Sequence, residues 1–107
     1  MNDNAQNVES VMVVRFFTGD EVIGKVGTFG TNHMIIKKPA AIVMQPGANG
    51  KASMGLLDYL PMAKVKEIVI SSANVLFVYE PMLDVENAYN QSFGSGLVIP
   101  KSGLTLV

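Results

Sequence analysis

The sequence predicts an all-β fold, a small and strongly bent barrel of five strands with a short C-terminal helix. Two β-rich runs flank a Gly19-Asp20 turn within the stretch from Val11 to Lys37. The second run contains Gly24 and Gly27, and glycine inside a strong strand marks a bend or a close backbone approach. A hairpin whose second strand bends sharply is a typical start of a barrel. Further β-rich runs, separated by turn residues, then predict the strands that complete it.

Residues 1–10 are polar and are predicted to form a flexible segment before the barrel, which spans residues 11–80. The first strand is apolar on both faces, apart from Arg15. The third should be kinked or unpaired at Pro39, which has no backbone donor. The fourth should be long and bent, with an interruption near Pro61. The five predicted strands cover residues 11–17, 21–29, 34–44, 53–70 and 75–79.

The last segment, residues 81–107, has a different pattern and is predicted to hold a helix and an apolar tail. Pro81 suits the first position of a helix, and acidic residues close to it complement the helix dipole. Met82, Val85 and Tyr89 recur at helical spacing. The pattern predicts a helix over 82–92. The tail beyond it is so apolar that it should add a strand or dock on a neighbour.

The composition indicates one domain that buries part of its surface between subunits. The chain has 107 residues, of which 49% are hydrophobic and 16% are charged, against a usual charged share of about 25%. A small domain cannot easily hide so much apolar surface alone. The chain has no cysteine and a net charge of −1. With no secretory signal and no apolar run of membrane-spanning length, we expect a cytoplasmic protein without membrane contact.

No motif in the sequence predicts an enzyme, a metal site or a cofactor. The segment from Gly19 to Lys25 matches the first seven positions of a phosphate-binding loop, but Val26 stands where Ser or Thr should bind magnesium. The residues that follow favour a strand, whereas the motif needs a helix. His33 is the only histidine, and one imidazole without cysteine or nearby acidic residues does not make a metal site.

Charge is uneven along the chain. Residues 37–66 contain five lysines and one aspartate, a formal charge of +4. Such a band could bind phosphate groups. The alternative is that lysines on exposed strands protect sheet edges from aggregation. The second interpretation is favoured, because aromatic residues do not alternate with the basic ones. The lysines are Lys37, Lys38, Lys51, Lys64 and Lys66.

Two segments together resemble the Sm/LSm (Hfq-type) family of small RNA-associated barrels. The first has turn glycines at Gly19 and Gly24, with Phe29-Gly30 where the family has Phe-Asp and His33-Met34 where it has Met-Asn. The second runs from Ile70 to Val78, ISSANVLFV, and fits two apolar strands around a turn with asparagine. The resemblance covers residues 11–80 and implies a five-stranded SH3-like (Sm-like) barrel. A compact, cysteine-free member of this kind suits a viral genome. If the protein is viral, we expect it in the host cytoplasm.

The departures from the family pattern fall on its base-binding positions. The resemblance implies that Asp, Asn and Arg or Lys build the pocket for a base, and here these positions hold Gly30, Met34 and Ser71. None of the three supplies a carboxylate, an amide or a guanidinium. The family also carries its helix before the first strand, whereas the predicted helix here follows the fifth strand.

The resemblance implies a homo-oligomeric ring of roughly five to seven copies, in which the fourth strand of one subunit pairs with the fifth strand of the next. Two functions follow. One is a divergent ring that binds single-stranded RNA without the usual base pocket. The other is a structural or protein-interaction ring that has lost RNA binding. The candidate RNA-binding residues are Gly30, Asn32, His33, Met34, Lys37, Lys38, Ser71 and Asn74. The candidate interface residues are Val65, Ile68, Ile70, Val75, Phe77 and Tyr79.

Overall fold

The computed structural model describes residues 9–47, 49–94 and 105–106, and these form a largely antiparallel β structure. The all-β class with one short C-terminal helix is confirmed. A 3-10 turn, Ser72–Asn74, joins two of the strands, and a π-helical turn, Asn90–Gly94, extends the helix. In chain order the other elements are β1 Ser10–Phe16, β2 Glu21–Phe29, β3 His33–Pro46, β4 Ala52–Asp58, β5 Glu67–Ser71, β6 Val75–Tyr79, α1 Leu83–Tyr89 and β7 Thr105–Leu106.

The strands form one antiparallel sheet in the order β6-β1-β2-β3-β4-β7, and β5 pairs with β3. Strand β3 is the longest of the described strands, and it lies at the centre of the sheet. Strand β2 pairs along one of its edges. On the other edge its first half, from His33 to Lys37, pairs with β5. Its second half, from Ala40 to Pro46, pairs with β4. The sheet is not closed into a barrel, since β5 and β6 each have one strand partner in the described ranges.

Strand β3 bends where it changes partners. Lys38 has a φ of 51°, and the β2–β3 register shifts between Ile23 and Lys25. Opposite this irregularity, a Cβ on Gly24 would lie 2.6 Å from Cγ2 of Ile36 and 3.0 Å from the carbonyl oxygen of Lys37. The predicted kink at Pro39 and the predicted close approach at Gly24 are therefore two sides of one bend.

The sheet buries apolar residues on both faces. Val13 and Val14 are 1% and 0% exposed although their side chains point to opposite faces, and Val22 and Ile23 repeat this arrangement. One face carries the outer cluster, which packs against α1: Val13, Ile23, Ala40, Leu56, Ala88 and Tyr89. The opposite face carries the inner cluster, which strands and their connections cover in the described part of the chain: Val14, Phe16, Val22 and Ile36.

The predicted fourth strand is divided into β4 and β5. The backbone N–H of Leu60 donates to Oδ1 of Asp58 at 2.8 Å, which turns the chain before Pro61. Strand β5 then begins at Glu67. Val65 was predicted to lie in a strand, but it lies in the loop before β5. Strand β7 pairs with β4 through Met54–Leu106 and Gly55–Thr105. The described ranges therefore contain seven strands, against the predicted five.

The predicted helix is confirmed, but its first residues differ. Helix α1 begins at Leu83, and Met82 is 72% exposed and does not join the apolar face. Val85 and Tyr89 do face the outer cluster, and the Phe93 ring stacks on Tyr89 with centroids 5.9 Å apart. No helix in the described part of the chain is long and apolar enough to cross a membrane.

At the N-terminus, Ser10 already belongs to β1, although the predicted flexible segment includes this residue. Glu9 forms an ion pair with Lys37 across 2.8 Å. Residues 1–8 lie outside the described residues, as do 95–104 and 107, which include most of the apolar tail.

Candidate functional site

The two loops that carry the family resemblance lie next to each other. The backbone N–H of Ser72 donates to the carbonyl oxygen of Asn32 at 2.9 Å. His33 pairs with Ser71, and Met34 pairs with Ile70, in the β3–β5 ladder. Residues about forty positions apart therefore meet at one end of the sheet, where the resemblance implies a binding site.

A cleft of about 300 Å³, here called the loop cleft, opens beside these loops. Gly30, His33 and Met34 line it. Gly30 has a φ of 69°, which glycine adopts without strain, and this allows the tight turn at its rim. None of the described residues that line the cleft is Asp, Glu, Lys or Arg, so hydroxyl groups, the imidazole and backbone atoms are the polar groups that these residues supply. The remaining lining residues are Met12, Val26, Gly27, Thr28, Thr31, Ser72 and Val78.

Three other candidate RNA-binding residues are placed differently. Ser71 accepts a hydrogen bond at its hydroxyl from the Ala73 N–H at 3.2 Å and so caps the 3-10 turn. The Asn74 carbonyl oxygen accepts from the Phe17 N–H at 3.1 Å, and Asn74 lines another cleft. Asn32 contributes its backbone carbonyl to the junction of the loops. Only part of the candidate set therefore faces the loop cleft.

The lysines do not converge on the loop cleft. Lys37 and Lys38 lie at the bend of β3 and do not line it. A hydrogen bond and the charge of Glu9 raise the pKa of Lys37, which is thus already paired. Lys66 pairs with Asp58 across 3.0 Å and also donates to the Leu60 carbonyl oxygen. The pair with Glu9 brings a carboxylate from outside residues 37–66 to this band and so reduces the positive potential that the sequence alone predicts.

The phosphate-loop match from Gly19 to Lys25 is a hairpin turn followed by β2. Gly19 has a φ of 99°, and no helix begins at this position to receive a phosphate. The described residues also contain no group of three or more His, Asp or Glu side chains that could hold a metal ion.

The free edge of β6 carries four consecutive exposed apolar residues. Its residues Leu76, Phe77, Val78 and Tyr79, here called the edge strip, are 48%, 45%, 37% and 41% exposed. Strand β6 pairs with β1 and has no second strand partner in the described ranges. A strand that has one unpaired edge and exposes apolar side chains on both faces is favoured to pair with another chain.

Polar contacts anchor one end of the edge strip. The Tyr79 hydroxyl donates to Oε2 of Glu21 at 3.5 Å, and Arg15 forms an ion pair with the same oxygen across 3.2 Å. Burial, followed by the charge of Glu21, raises the pKa of Tyr79. The Phe77 ring lies 5.9 Å from the Tyr79 ring. These contacts hold the two rings in place on the surface.

The six candidate interface residues separate into two groups. Ile68, Ile70 and Val75 pack against the inner cluster and so belong to the fold. Phe77 and Tyr79 are exposed on β6, and Val65 is 60% exposed in the loop before β5. Leu76, Val78 and Val69 are exposed apolar residues that the sequence interpretation missed. The signal for the first two was available, because five consecutive apolar residues in an edge strand cannot all be buried.

Comparison with known proteins assigns no family: no protein-family model matches the chain, and no curated protein matches it.

Proposed function

We propose that the chain is a divergent Sm-like subunit of a homo-oligomeric ring that acts as a structural or protein-interaction module. The observation that carries the proposal is the edge strip, an apolar strand with one free edge. Strand β5 offers a second free edge of the same length, five residues. Pairing β6 of one copy with β5 of the next would satisfy both edges with main-chain hydrogen bonds.

The two edges differ in sequence, so such a contact is heterologous. A heterologous contact gives a ring when its rotation closes. The ring size of roughly five to seven copies follows from the Sm/LSm resemblance and from closed symmetry. Pairing would also cover Val69 and the edge strip, which are exposed in the single chain. This accounts for a chain with 49% hydrophobic residues.

Replacing an edge-strip residue with lysine tests the assembly. Leu76→Lys and Val78→Lys place a charge on β6, and we expect each to shift the protein toward monomer in sedimentation equilibrium at micromolar concentration. Met82→Lys is the matched control, because Met82 is 72% exposed and lies outside β6. A wild-type chain that sediments as a stable monomer would contradict the proposal, as would equal effects of all three substitutions.

A second candidate function is binding of single-stranded RNA at the loop cleft. The observation that favours it is the meeting of the two loops through the Ser72–Asn32 hydrogen bond. Bases could contact the apolar lining around Met34, and the hydroxyl and imidazole groups at the rim could form hydrogen bonds. The described lining residues carry no lysine or arginine to bind phosphate, and this favours the protein-interaction module over RNA binding.

Fluorescence polarisation with labelled U-rich and A-rich oligonucleotides separates the two candidates. RNA binding at the loop cleft predicts affinity that falls as salt rises and that decreases in His33→Ala. Glu80→Gln, which alters an exposed residue away from the cleft, is the control. If neither oligonucleotide binds at low salt, the RNA candidate is excluded and the ring proposal is unaffected.

A further inference from the structure

A second cleft, of about 270 Å³, lies between the β1–β2 turn, the residue after β4, strand β5 and the 3-10 turn. It is here called the aromatic slot. Its lining residues are Phe16, Phe17, Thr18, Asp20, Tyr59, Ile68, Ile70 and Asn74. The proposed ring uses the backbone edge of β5, two residues of which line the slot, but it assigns no role to the slot itself. The RNA alternative shares only Asn74 with it.

The walls of the aromatic slot are fixed by the fold. The rings of Phe16 and Tyr59 are nearly parallel, at 10°, with centroids 6.4 Å apart. The Tyr59 N–H donates to the Pro39 carbonyl oxygen at 3.0 Å, and the Phe16 N–H donates to the Asp20 carbonyl oxygen at 2.9 Å. The Phe17 N–H bond to Asn74 ties the turn to the opposite wall. A ligand would therefore enter a largely preformed site.

The electrostatics of the aromatic slot favour a cation. Among the described residues that line it, Asp20 is the one Asp, Glu, Lys or Arg. Its carboxylate accepts from the Thr18 hydroxyl at 3.3 Å. Burial, followed by the charge of Asp20 and a hydrogen bond to it, raises the pKa of Tyr59, which lines the same cleft. Asp20 forms none of the ion pairs seen among the described residues.

We propose that the aromatic slot takes the side chain of a lysine or arginine presented by a partner protein. The apolar floor of Ile68 and Ile70 suits the methylene stem, the ring faces attract the cationic head, and Asp20 pairs with it. Phe17, 68% exposed at the rim, extends the apolar surface toward the residues that flank this side chain in the partner. Phosphate is disfavoured by the carboxylate, so a nucleic acid does not fit.

Titration of the ¹⁵N-labelled full chain with acetyl-Gly-Lys-Gly-amide, followed by NMR, tests the proposal. We expect saturable shifts of the Gly19, Asp20 and Tyr59 amide signals. The neutral peptide acetyl-Gly-norleucine-Gly-amide has a similar stem and should bind about tenfold more weakly, since a cation beside aromatic rings and a carboxylate contributes on this scale. Equal binding of the two peptides would overturn the proposal.

Two variants and one control identify the side chains that bind the lysine peptide. Asp20→Asn should weaken lysine-peptide binding about five- to tenfold, and Tyr59→Leu should weaken it while keeping apolar contact with Phe16. Glu80→Gln removes the same charge at an exposed position outside the slot and should bind like the wild type. Unchanged binding in Asp20→Asn, or shifts of the same amides by an oligonucleotide instead of the peptide, would overturn the proposal. Asp20→Asn should sediment like the wild type, which separates this result from a failure of the proposed ring.

Discussion

The inner and outer clusters lie on opposite faces of the same strands, but they are covered by different means. The strands curve around the inner cluster, and Tyr59 after β4 and Ile70 in β5 pack against it. Both the loop cleft and the aromatic slot open onto this side. The outer cluster is covered by a separate element, α1, through Ala88 and Tyr89. The inner cluster is thus formed by strands and their connections, whereas the outer cluster depends on the segment after residue 81.

The bend of β3 links the two clusters. The Tyr89 hydroxyl donates to the Lys38 carbonyl oxygen at 2.9 Å, with the Lys37 carbonyl oxygen at 3.3 Å. On the other side of the bend, Gly24 lies against Ile36 of the inner cluster. The helix therefore fixes the backbone at the point where β3 exchanges β5 for β4. A change at Tyr89 should affect the shape of the sheet as well as the outer cluster.

Tyr89→Ala should have the largest effect on the outer cluster. Tyr89 is 0% exposed, and its loss leaves a cavity and two carbonyl oxygens without their donor. We expect the free energy of unfolding to fall by about 4 kcal/mol. Urea denaturation at fixed protein concentration measures this change. Tyr89→Phe, which keeps the ring, should lose only about 1 kcal/mol. Equal losses in the two variants would show that packing of the ring contributes little.

Ile36→Ala should have the next largest effect and tests the inner cluster. Ile36 is 0% exposed, and its truncation should cost about 3 kcal/mol in the same denaturation experiment. Because α1 does not cover this face, the helical circular dichroism signal should remain at concentrations of urea below the transition. If the variant loses its helical signal before the sheet unfolds, the two clusters are not separable as described.

The strands of the inner cluster were predictable from the sequence, because β-branched runs and turn glycines have local signatures. Strand β2 was predicted with its observed bounds, Glu21–Phe29, and the bend at Gly24 and Pro39 was expected from residue type. An interruption of the fourth strand near Pro61 was predicted, but not that its two halves become separate strands that pair with different parts of β3. The division depends on a hydrogen bond from Leu60 to the Asp58 side chain, which apolar periodicity does not reveal.

The candidate sites were less predictable than the fold. The meeting of the loops at Asn32 and Ser72 follows from long-range strand pairing, and only the family resemblance pointed to it. The aromatic slot was not predicted at all, since Phe16, Asp20 and Tyr59 are separated in sequence and form no motif. The pairing of Lys37 with Glu9 was also missed, because a charge count along the sequence does not show which side chains meet.

The smallest effect concerns pH and isolates one group of the outer cluster. Burial raises the pKa of Tyr89 to about 12, against about 10 for an exposed tyrosine. The folded state therefore holds the phenol proton more tightly than the unfolded state. This contribution to stability is fully present below pH 10 and decreases as the pH rises toward 12.

Tyr59 and Tyr79 also have raised pKa values, so the test is the difference between wild type and Tyr89→Phe. Urea midpoints measured at intervals from pH 8 to 11 should fall more steeply in the wild type than in the variant. Parallel curves would mean that the Tyr89 hydroxyl is open to solvent and does not hold the bend of β3.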